Sequence, residues 1–222
     1  MKQDTQIQKD VMDELKWEPL LNATEIGVAV KDGAVTLTGT VDSYSKREEA
    51  ENAVKRVGGV KVIALDIEVK LVGSGIKNDT EIARMIADTL KWNSDIQEDK
   101  VKIKVENGWV TLEGVVYWEY QKNVVKAAIK RLTGVKGIHN FIKVKVSPTT
   151  KNIKQKIAEA FHRSATIDSE KVDIQIFGDK AVISGTVRSW AEKEDAENAT
   201  RKAPGISVVE NKIIIDDEVL IY

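Results

Sequence analysis

The sequence predicts an α+β protein of three tandem α-β-β-α-β units, each a small three-stranded mixed sheet with two helices packed on one face. Three observations lead to this fold class. A short phrase occurs three times, as GAVTLTGTV (33–41), GWVTLEGVV (108–116) and AVISGTV (181–187). Alignment of Gly39, Gly114 and Gly185 gives offsets of 75 and 71 residues, and similar residues then coincide over about 60 positions per copy. Within each copy, the apolar residues change from helical to strand spacing and back.

Two short joins delimit the units. Gly73-Ser74-Gly75 and Ser147-Pro148 interrupt the apolar patterns, as short linkers between compact units do. We therefore predict units at 1–72, 76–147 and 148–222. Of the 222 residues, 42% are hydrophobic and 31% are charged, which is enough apolar material for compact cores. No apolar run is long enough for a membrane-spanning helix.

Each unit opens with an amphipathic helix. In the second unit, Ile82, Ile86 and Leu90 recur every four residues after an Asn78-Asp79-Thr80 capping cluster. The same spacing occurs at Ile7, Val11 and Leu15 in the first unit and at Ile153, Ile157 and Phe161 in the third. Trp17 and Trp92 end the first two helices at equivalent places. A Trp repeated in this way predicts packing in the core or between units.

A hairpin, a second helix and a last strand follow in each unit. VKIKV (101–105) alternates strictly, and Asn107-Gly108 predicts a tight turn, as does Asp32-Gly33. The third unit has Gly178-Asp179, which predicts a hairpin of slightly different shape. Apolar residues of the second helix form a stripe, Ser189 and Glu192 have capping-box spacing, and glycines end each copy of the helix. Acidic pairs such as Glu48-Glu49 and Glu192-Glu194 are predicted on solvated helix faces.

The repeated phrase is predicted to be architecture rather than a binding site. Alternation turns Val35, Leu37 and Val41 toward the helices. A glycine inside a strand usually marks a bend or a close backbone approach, although a glycine that contacts a ligand remains an alternative. The glycines assigned to the structural motif are Gly33, Gly39, Gly108, Gly114 and Gly185.

The motif Gly-x-Val-x-Leu-x-Gly-x-Val, a helix, and then Gly-Val-x-x-Val-x-Asn resembles the BON domain of OsmY-like proteins. The first half matches from Gly33 to Val41 and from Gly108 to Val116, whereas the third unit keeps Ile183, Gly185 and Val187. The second half matches at Gly134, Val135, Ile138 and Asn140 and at Gly205, Ile206, Val209 and Asn211. The first unit departs from it, with Leu65 at the Asn position. The resemblance covers nearly the whole chain.

The resemblance implies a phospholipid-binding module in osmotic or envelope stress proteins, for which a chaperone-like role is also proposed. Most such proteins are exported. The polar N-terminus of this chain has no apolar core of a signal peptide. We therefore expect a cytoplasmic location, or a periplasmic one if a leader was removed. An internal membrane surface or a client protein is the expected partner.

Neither catalysis nor nucleic-acid binding is predicted. The chain has no cysteine and two histidines at non-equivalent positions, and it lacks catalytic or metal-binding motifs. No enzyme activity, cofactor or metal is expected. Gly134 to Gly137 spell the GXXG of a KH domain, but here this loop joins a helix to a strand and not two helices. With a net charge of −1, the chain is not expected to bind nucleic acid.

Charge distribution points to the middle unit as the candidate binding surface. Lys and Arg against Asp and Glu number 10 against 13 in residues 1–72, 13 against 9 in 73–147 and 11 against 13 in 148–222. The middle unit alone is therefore basic. Its lysines and aromatic residues suit an anionic membrane, where aromatic rings lie at headgroup level, although a solvated face is the alternative. The predicted lipid-binding residues are Lys102, Lys104, Trp109, Trp118, Tyr120, Lys122, Lys126, Lys130, Lys143 and Lys145.

Two hypotheses follow. In the first, the chain is a non-enzymatic protein that docks on anionic phospholipid through the middle unit, with Lys122, Lys126 and Lys130 as a ridge along the second helix. In the second, it holds client proteins in a chaperone-like role. Strong salt dependence of binding would favour the first hypothesis, and salt-insensitive binding to unfolded chains the second.

Overall fold

The computed structural model describes residues 2–73, 76–92, 100–145 and 152–215. These residues form six α-helices and three three-stranded sheets, which confirms the α+β fold class and the threefold α-β-β-α-β order. Each copy of this α-β-β-α-β order is called a module from here on. In the first module, the elements are α1 (Asp4–Trp17), β1 (Ile26–Lys31), β2 (Ala34–Val41), α2 (Tyr44–Arg56) and β3 (Val62–Val69), with a short 3₁₀ helix (Ala23–Glu25) before β1. In the middle module, they are α3 (Asp79–Lys91), β4 (Val101–Glu106), β5 (Trp109–Val116), α4 (Glu119–Ile129) and β6 (Gly137–Val144). In the third module, they are α5 (Ile153–Arg163), β7 (Val172–Phe177), β8 (Lys180–Val187), α6 (Trp190–Arg201) and β9 (Val208–Ile215).

The second strand is central in every sheet, in the orders β1-β2-β3, β4-β5-β6 and β7-β8-β9. The first two strands of each sheet are antiparallel and form a hairpin. In the middle and third modules, the last strand runs parallel to the central one. A parallel neighbour requires a crossover connection, usually a helix. The second helix of the module, α4 or α6, is this crossover.

The two-residue turn of the third hairpin differs in backbone conformation from the turns of the first two. In Asn107-Gly108, both residues have positive φ (53° and 81°), and Asp32-Gly33 is similar (53° and 78°). This is the pattern of a type I′ turn, which matches the twist of the flanking strands. In Gly178-Asp179, only Gly178 has positive φ, at 63°. The difference in shape expected from the sequence is therefore confirmed, at the same loop length.

The glycine inside the second strand of the repeated phrase lies where two backbones come close together. Gly39, Gly114 and Gly185 have φ of 129°, 148° and 129°. A Cβ at each position would lie less than 3.0 Å from the carbonyl oxygen of Glu25, Lys100 or Lys171, closer than Cβ atoms come in real structures. Each of these carbonyls precedes the first residue of the neighbouring strand. The repeated glycine therefore allows a close backbone approach, and this is its role in the architecture.

A carboxylate at the start of the first helix holds the hairpin turn in two modules. Asp79 accepts hydrogen bonds from the backbone N–H groups of Asn107 (2.8 Å) and Gly108 (2.9 Å). In the first module, Asp4 accepts in the same way from Asp32 and Gly33. The predicted cap is Asn78, whose side chain accepts from the N–H of Glu81, while Glu81 accepts from the N–H of Asn78. The Asn-Asp pair thus divides two tasks, capping the helix and anchoring the turn.

The chain forms two compact units, which do not follow the module boundaries. One unit consists of Met1–Gly39, Glu49–Asp66 and Val146–Tyr222, and the other of Thr40–Glu48 and Ile67–Lys145. The second unit thus contains the middle module and the first residues of α2, and Tyr44 of α2 belongs to its apolar core with Ile86 and Leu112. In the first unit, a separate core forms around Ile157, Phe161 and Ile183 of the third module. Its other buried members are Ile153, Ile167, Val172, Ile174, Ala181, Val187, Ala196, Ile206 and Ile213.

The expectations for Trp17, Trp92 and Glu192 are wrong. Trp17 and Trp92, expected in packed positions, are 84% and 87% exposed. They follow the last buried residue of their helix, Leu15 or Leu90, by two positions, which on a helix turns them away from the apolar face. Glu192, expected on a solvated face, is 4% exposed. Its carboxylate accepts hydrogen bonds from the backbone N–H groups of Asp168 and Arg188, and these bonds compensate for its burial.

Candidate functional site

The outer face of the middle sheet collects lysines and aromatic rings. Alternate residues of β4, β5 and β6 are buried against α3 and α4, so the residues between them point outward. The structure places the strand lysines and Trp109 on one outward face, which consists of Lys102, Lys104, Glu106, Trp109, Thr111, Glu113, Val115, His139, Phe141 and Lys143. Within this set, Lys104 forms an ion pair with Glu106 (2.8 Å). Among the described residues, neither Lys102 nor Lys143 forms one.

Three rings stand in a row along one edge of this face. Trp109 stacks on His139, with ring centroids 5.0 Å apart, and His139 is followed by Phe141 at 6.3 Å. Trp109 lies directly opposite Gly137 in the neighbouring strand. A Cβ at Gly137 would collide with the indole ring, so this glycine makes room for it. The row ends at Phe141, which is 61% exposed.

Beyond Phe141 the face carries a groove, here called the lysine groove. Its volume is about 830 Å³, and its lining residues are Lys100, Lys102, Glu113, Gly114, Val115, Val116, Tyr117, Phe141, Lys143 and Lys145. Val115 and Tyr117 are 49% and 44% exposed. The ammonium groups of Lys100 and Lys145 lie 4.2 Å and 5.2 Å from the centroid of the Tyr117 ring. The groove therefore combines exposed apolar side chains with four lysines.

The ridge of lysines on the second helix lies elsewhere in the module and is partly engaged. Glu48 of α2 forms ion pairs with Lys126 and with Lys130, each at 2.7 Å. The hydroxyl of Ser45 also donates to the carbonyl oxygen of Lys130 (2.8 Å). Lys122, Lys126 and Lys130 are all half-buried. Glu48 was expected on a solvated face, and that expectation is wrong because its side chain is only 13% exposed.

Burial raises the pKa of Glu48, but hydrogen bonds from Lys126 and Lys130 outweigh this effect and hold the pKa below its usual value of 4.5. A carboxylate with a lowered folded pKa stabilises the fold fully above its unfolded pKa and less as the pH falls through the folded value. We expect the urea midpoint of the wild type to exceed that of Glu48→Gln by a constant amount down to about pH 5.5, and the difference to shrink below about pH 4.5. A difference that persists unchanged at about pH 3 would contradict this assignment.

The remaining predicted aromatic residues lie at the start of α4. Trp118 and Tyr120 are 55% and 50% exposed. The side-chain oxygen of Gln121 accepts hydrogen bonds from the N–H groups of Tyr117 (3.0 Å) and Trp118 (3.1 Å), which fixes the chain where β5 leads into the helix. Trp118 and Tyr120 do not line the lysine groove, although Tyr117 does.

Among the residues of this face that sequence reasoning missed are Lys100, Val115, His139 and Phe141. Three of them could have been found, because Val115, His139 and Phe141 occupy outward positions by simple alternation from the buried Val110 and Ile142. Lys100 precedes β4, so the alternation of that strand does not predict where its side chain lies. Its position over Tyr117 depends on where β4 begins and β5 ends.

The described residues show little that could support catalysis. No group of three or more His, Cys, Asp or Glu side chains that could hold a metal ion occurs in them. The hydroxyl of Ser169 lies 2.8 Å from Nδ1 of His162. His162 is exposed and Ser169 is half-buried, and within the same part of the chain no hydrogen bond orients the other ring nitrogen. Across those residues, no helix combines the length and the apolar character needed to cross a bilayer.

Comparison with known proteins gives three curated relatives. The osmotically inducible protein Y of Escherichia coli is 30% identical over 129 residues, which are 56% of this chain and 64% of that protein. The 21 kDa hemolysin of Actinobacillus pleuropneumoniae is 30% identical over 148 residues, covering 63% of this chain and 74% of the hemolysin. An uncharacterised protein of Anaplasma centrale is 31% identical over 127 residues, 56% of this chain and 84% of that protein.

A solved structure is also similar over most of the chain. The C-terminal domain of CdsD, a structural protein of the type III secretion system of Chlamydia trachomatis, is 14% identical and covers 97% of this chain, with a TM-score of 0.27. At this TM-score the similarity carries no information about function. The family model for the BON domain matches three times, at residues 3–70, 78–146 and 149–217. The chain therefore belongs to the BON domain family, with three tandem copies of the domain.

Proposed function

We propose that the protein is a non-enzymatic binding protein that docks on anionic phospholipid surfaces through the outer face of its middle module, in a response to osmotic or envelope stress. The observation that carries this proposal is the lysine groove and its surroundings. Exposed Phe141, Tyr117 and Val115 share one face with Lys100, Lys102, Lys143 and Lys145. The exposure of these apolar and aromatic side chains to water is unfavourable, and the lysines around them attract acidic headgroups.

The middle module is also the only net basic one, with a charge of +4 from 13 Lys and Arg against 9 Asp and Glu. Near an anionic membrane each lysine contributes about 1 kcal/mol, and aromatic rings prefer the headgroup level. Within the ten residues predicted from the sequence, those on the sheet face are best placed for this contact. Lys126 and Lys130 serve in our proposal to hold Glu48. Lys122, Trp118 and Tyr120 do not line the lysine groove and are not part of the proposed contact.

The names of the relatives support a role at membranes under stress. One is named for osmotic induction and another is named a hemolysin. This chain spans 64% of the length of the osmotically inducible protein. A cytoplasmic location remains a prediction from the sequence.

The test is co-sedimentation of the full chain with phosphatidylglycerol vesicles and with phosphatidylcholine vesicles, at low and high salt. We expect binding to the anionic vesicles only, and loss of that binding at high salt. The double variant Lys102→Glu/Lys143→Glu should bind at least about 30-fold more weakly, because each lysine near the surface is worth about 1 kcal/mol.

A matched control is Arg84→Glu/Lys91→Glu, which removes the same charge from the same module. Both of these residues are exposed on α3. This control should keep most of its binding, since it leaves the sheet face intact. If the control loses binding and the sheet variant keeps it, the membrane contact lies on α3 and the proposed face is wrong. If the wild type does not sediment under any condition, the lipid proposal fails.

A second candidate function is the binding of client proteins. It is favoured by Trp17 and Trp92, which are 84% and 87% exposed at equivalent ends of α1 and α3. Exposed large aromatic residues are typical of surfaces that bind other proteins. Salt-insensitive binding to an unfolded chain, without sedimentation on vesicles, would favour this candidate over the first.

A further inference from the structure

The lysine groove has the shape and polarity of a site for one molecule, beyond what contact with a flat bilayer requires. Its volume of about 830 Å³ lies within the range of small-molecule sites, which is about 300–1,000 Å³. Gly114 and the exposed Val115 lie side by side in its lining. Phe141 stands at one end and Tyr117 at the other. A flat electrostatic contact would need the lysines but not this apolar depression.

The charge of the groove is concentrated at one end. Lys100 and Lys145 both place their ammonium groups over Tyr117, at 4.2 Å and 5.2 Å from the ring centroid. At the opposite end, Glu113 lies in register between Phe141 and Lys102, so the charges of Glu113 and Lys102 offset each other there. A ligand with one anionic end and one apolar end would therefore bind in a single orientation. Its anionic group would lie near Tyr117 and its apolar part would run toward Phe141.

The span of the groove suits a single extended chain. Phe141 and Lys145 are four residues apart along β6 and its extension, which is about 13 Å at the rise of a strand. Between them, Val115 lies opposite Lys143 in the neighbouring strand, so one side of the path is apolar and the other carries an ammonium group. The arrangement has room for one acyl chain along the strands.

We infer that the lysine groove binds one molecule of a medium-chain fatty acid as its carboxylate, with the carboxylate on Lys100 and Lys145 and the chain over Val115 against Phe141. The inference rests on the proposed function of this face and adds a defined ligand to it. It is separable, because a bilayer can bind the lysines without any chain entering the groove. The charge complementarity of the two ends favours a fatty carboxylate over a neutral or zwitterionic amphiphile.

The experiment is titration of the full chain with octanoate, decanoate and butyrate below their micelle concentrations. Binding is measured by calorimetry and by shifts of the NMR resonances of Phe141 and Tyr117. We expect binding with a stoichiometry of one, about fourfold tighter for each added methylene, and undetectable for butyrate. Octyl glucoside, which is neutral, and decylphosphocholine, which is zwitterionic, should bind at least about tenfold more weakly than decanoate.

Two matched variants test the position. Phe141→Ala removes the wall of the groove, whereas Phe177→Ala removes a side chain with the same 61% exposure from the third module. The first should weaken decanoate binding at least about tenfold, and the second should not change it. Lys145→Gln should weaken decanoate without affecting octyl glucoside. Both targeted residues are exposed, so the variants are expected to fold, and far-UV circular dichroism checks this.

The outcomes separate the two proposals. Vesicle binding that persists when decanoate does not bind overturns the fatty-acid inference and leaves surface docking intact. Decanoate binding that ignores Phe141→Ala and Lys145→Gln also overturns the inference, because the ligand then occupies another place. Stronger binding of decylphosphocholine than of decanoate would replace the fatty acid by a single-chain phospholipid and overturn the choice of ligand. Loss of both vesicle and decanoate binding in the wild type removes the proposed function as well.

Discussion

Replacement of Gly185 by alanine is expected to destabilise the third module by at least about 3 kcal/mol. Two costs combine at this position. Its φ of 129° is a conformation that residues with a Cβ rarely adopt, at a cost of about 1–3 kcal/mol. The new Cβ would also lie less than 3.0 Å from the carbonyl oxygen of Lys171, a backbone atom that cannot rotate away. Relief of this clash requires β7 and β8 to separate where they are paired.

The matched control is Gly178→Ala in the same module. Gly178 also has positive φ, at 63°, but nothing lies within 4 Å of the position that a Cβ would take. Only the backbone strain remains, and we expect a loss of about 1 kcal/mol. Hydrogen exchange of the amides of β7, β8 and β9, followed by mass spectrometry on the full chain, reports the third module alone. Equal losses for the two variants would show that backbone approach is not the reason for the repeated glycine.

The fold could be predicted because its determinants are local and occur three times. The four-residue spacing of Ile82, Ile86 and Leu90 predicted one buried helix face, and these three residues are at most 1% exposed. Asn107-Gly108 predicted a tight turn, and both residues have positive φ. In each case the residue type constrains its own backbone or its own turn of helix. Comparison of the three copies then removed most of the uncertainty of any single pattern.

The candidate site was predicted only in part, because its composition depends on contacts distant in sequence. Alternation placed Lys102, Lys143 and Trp109 on one face, and the structure agrees. The engagement of Lys126 and Lys130 could not be predicted, since their partner Glu48 is about 80 residues away and has no spacing relation to them. A helical ridge of lysines has the same pattern whether it faces solvent or an acid. The periodicity of one element does not identify what covers it.

Trp17 and Trp92 show a similar limit. A residue repeated at equivalent positions indicates that the copies share a constraint, but it does not say whether the constraint is burial or exposure. Both residues lie beyond the last buried position of their helix, and the helical phase turns them outward. Phase was the better guide here than residue type. The same argument, applied to the strands, identifies Val115 and Phe141 as outward and exposed.

Removal of the Asp79 carboxylate is expected to cost the middle module about 2–4 kcal/mol. The carboxylate accepts two hydrogen bonds from the turn, from Asn107 and Gly108. A bond to a charged group is worth about 1.5–3 kcal/mol when it is well formed, and the bond from Asn107 is worth less because Asn107 is exposed. Without it, the N–H of the buried Gly108 loses its acceptor. The sequence did not reveal this contact, because Asp79 and its partners are 28 and 29 residues apart.

Three variants grade this effect. Asp79→Ala should lose both bonds, Asp79→Asn should keep one oxygen as an acceptor and lose about half as much stability, and Asp88→Ala should be nearly neutral, because Asp88 is exposed on the same helix. The measurement is hydrogen exchange of the β4 and β5 amides in the full chain, with the third module as an internal reference. If Asp79→Ala and Asp88→Ala exchange alike, the first residue of α3 contributes only its helical propensity. Asp4 of the first module accepts hydrogen bonds from the N–H groups of Asp32 and Gly33 in the same geometry. If Asp4→Ala destabilises the first module as much as Asp79→Ala destabilises the middle one, the anchored turn stabilises both modules in the same way.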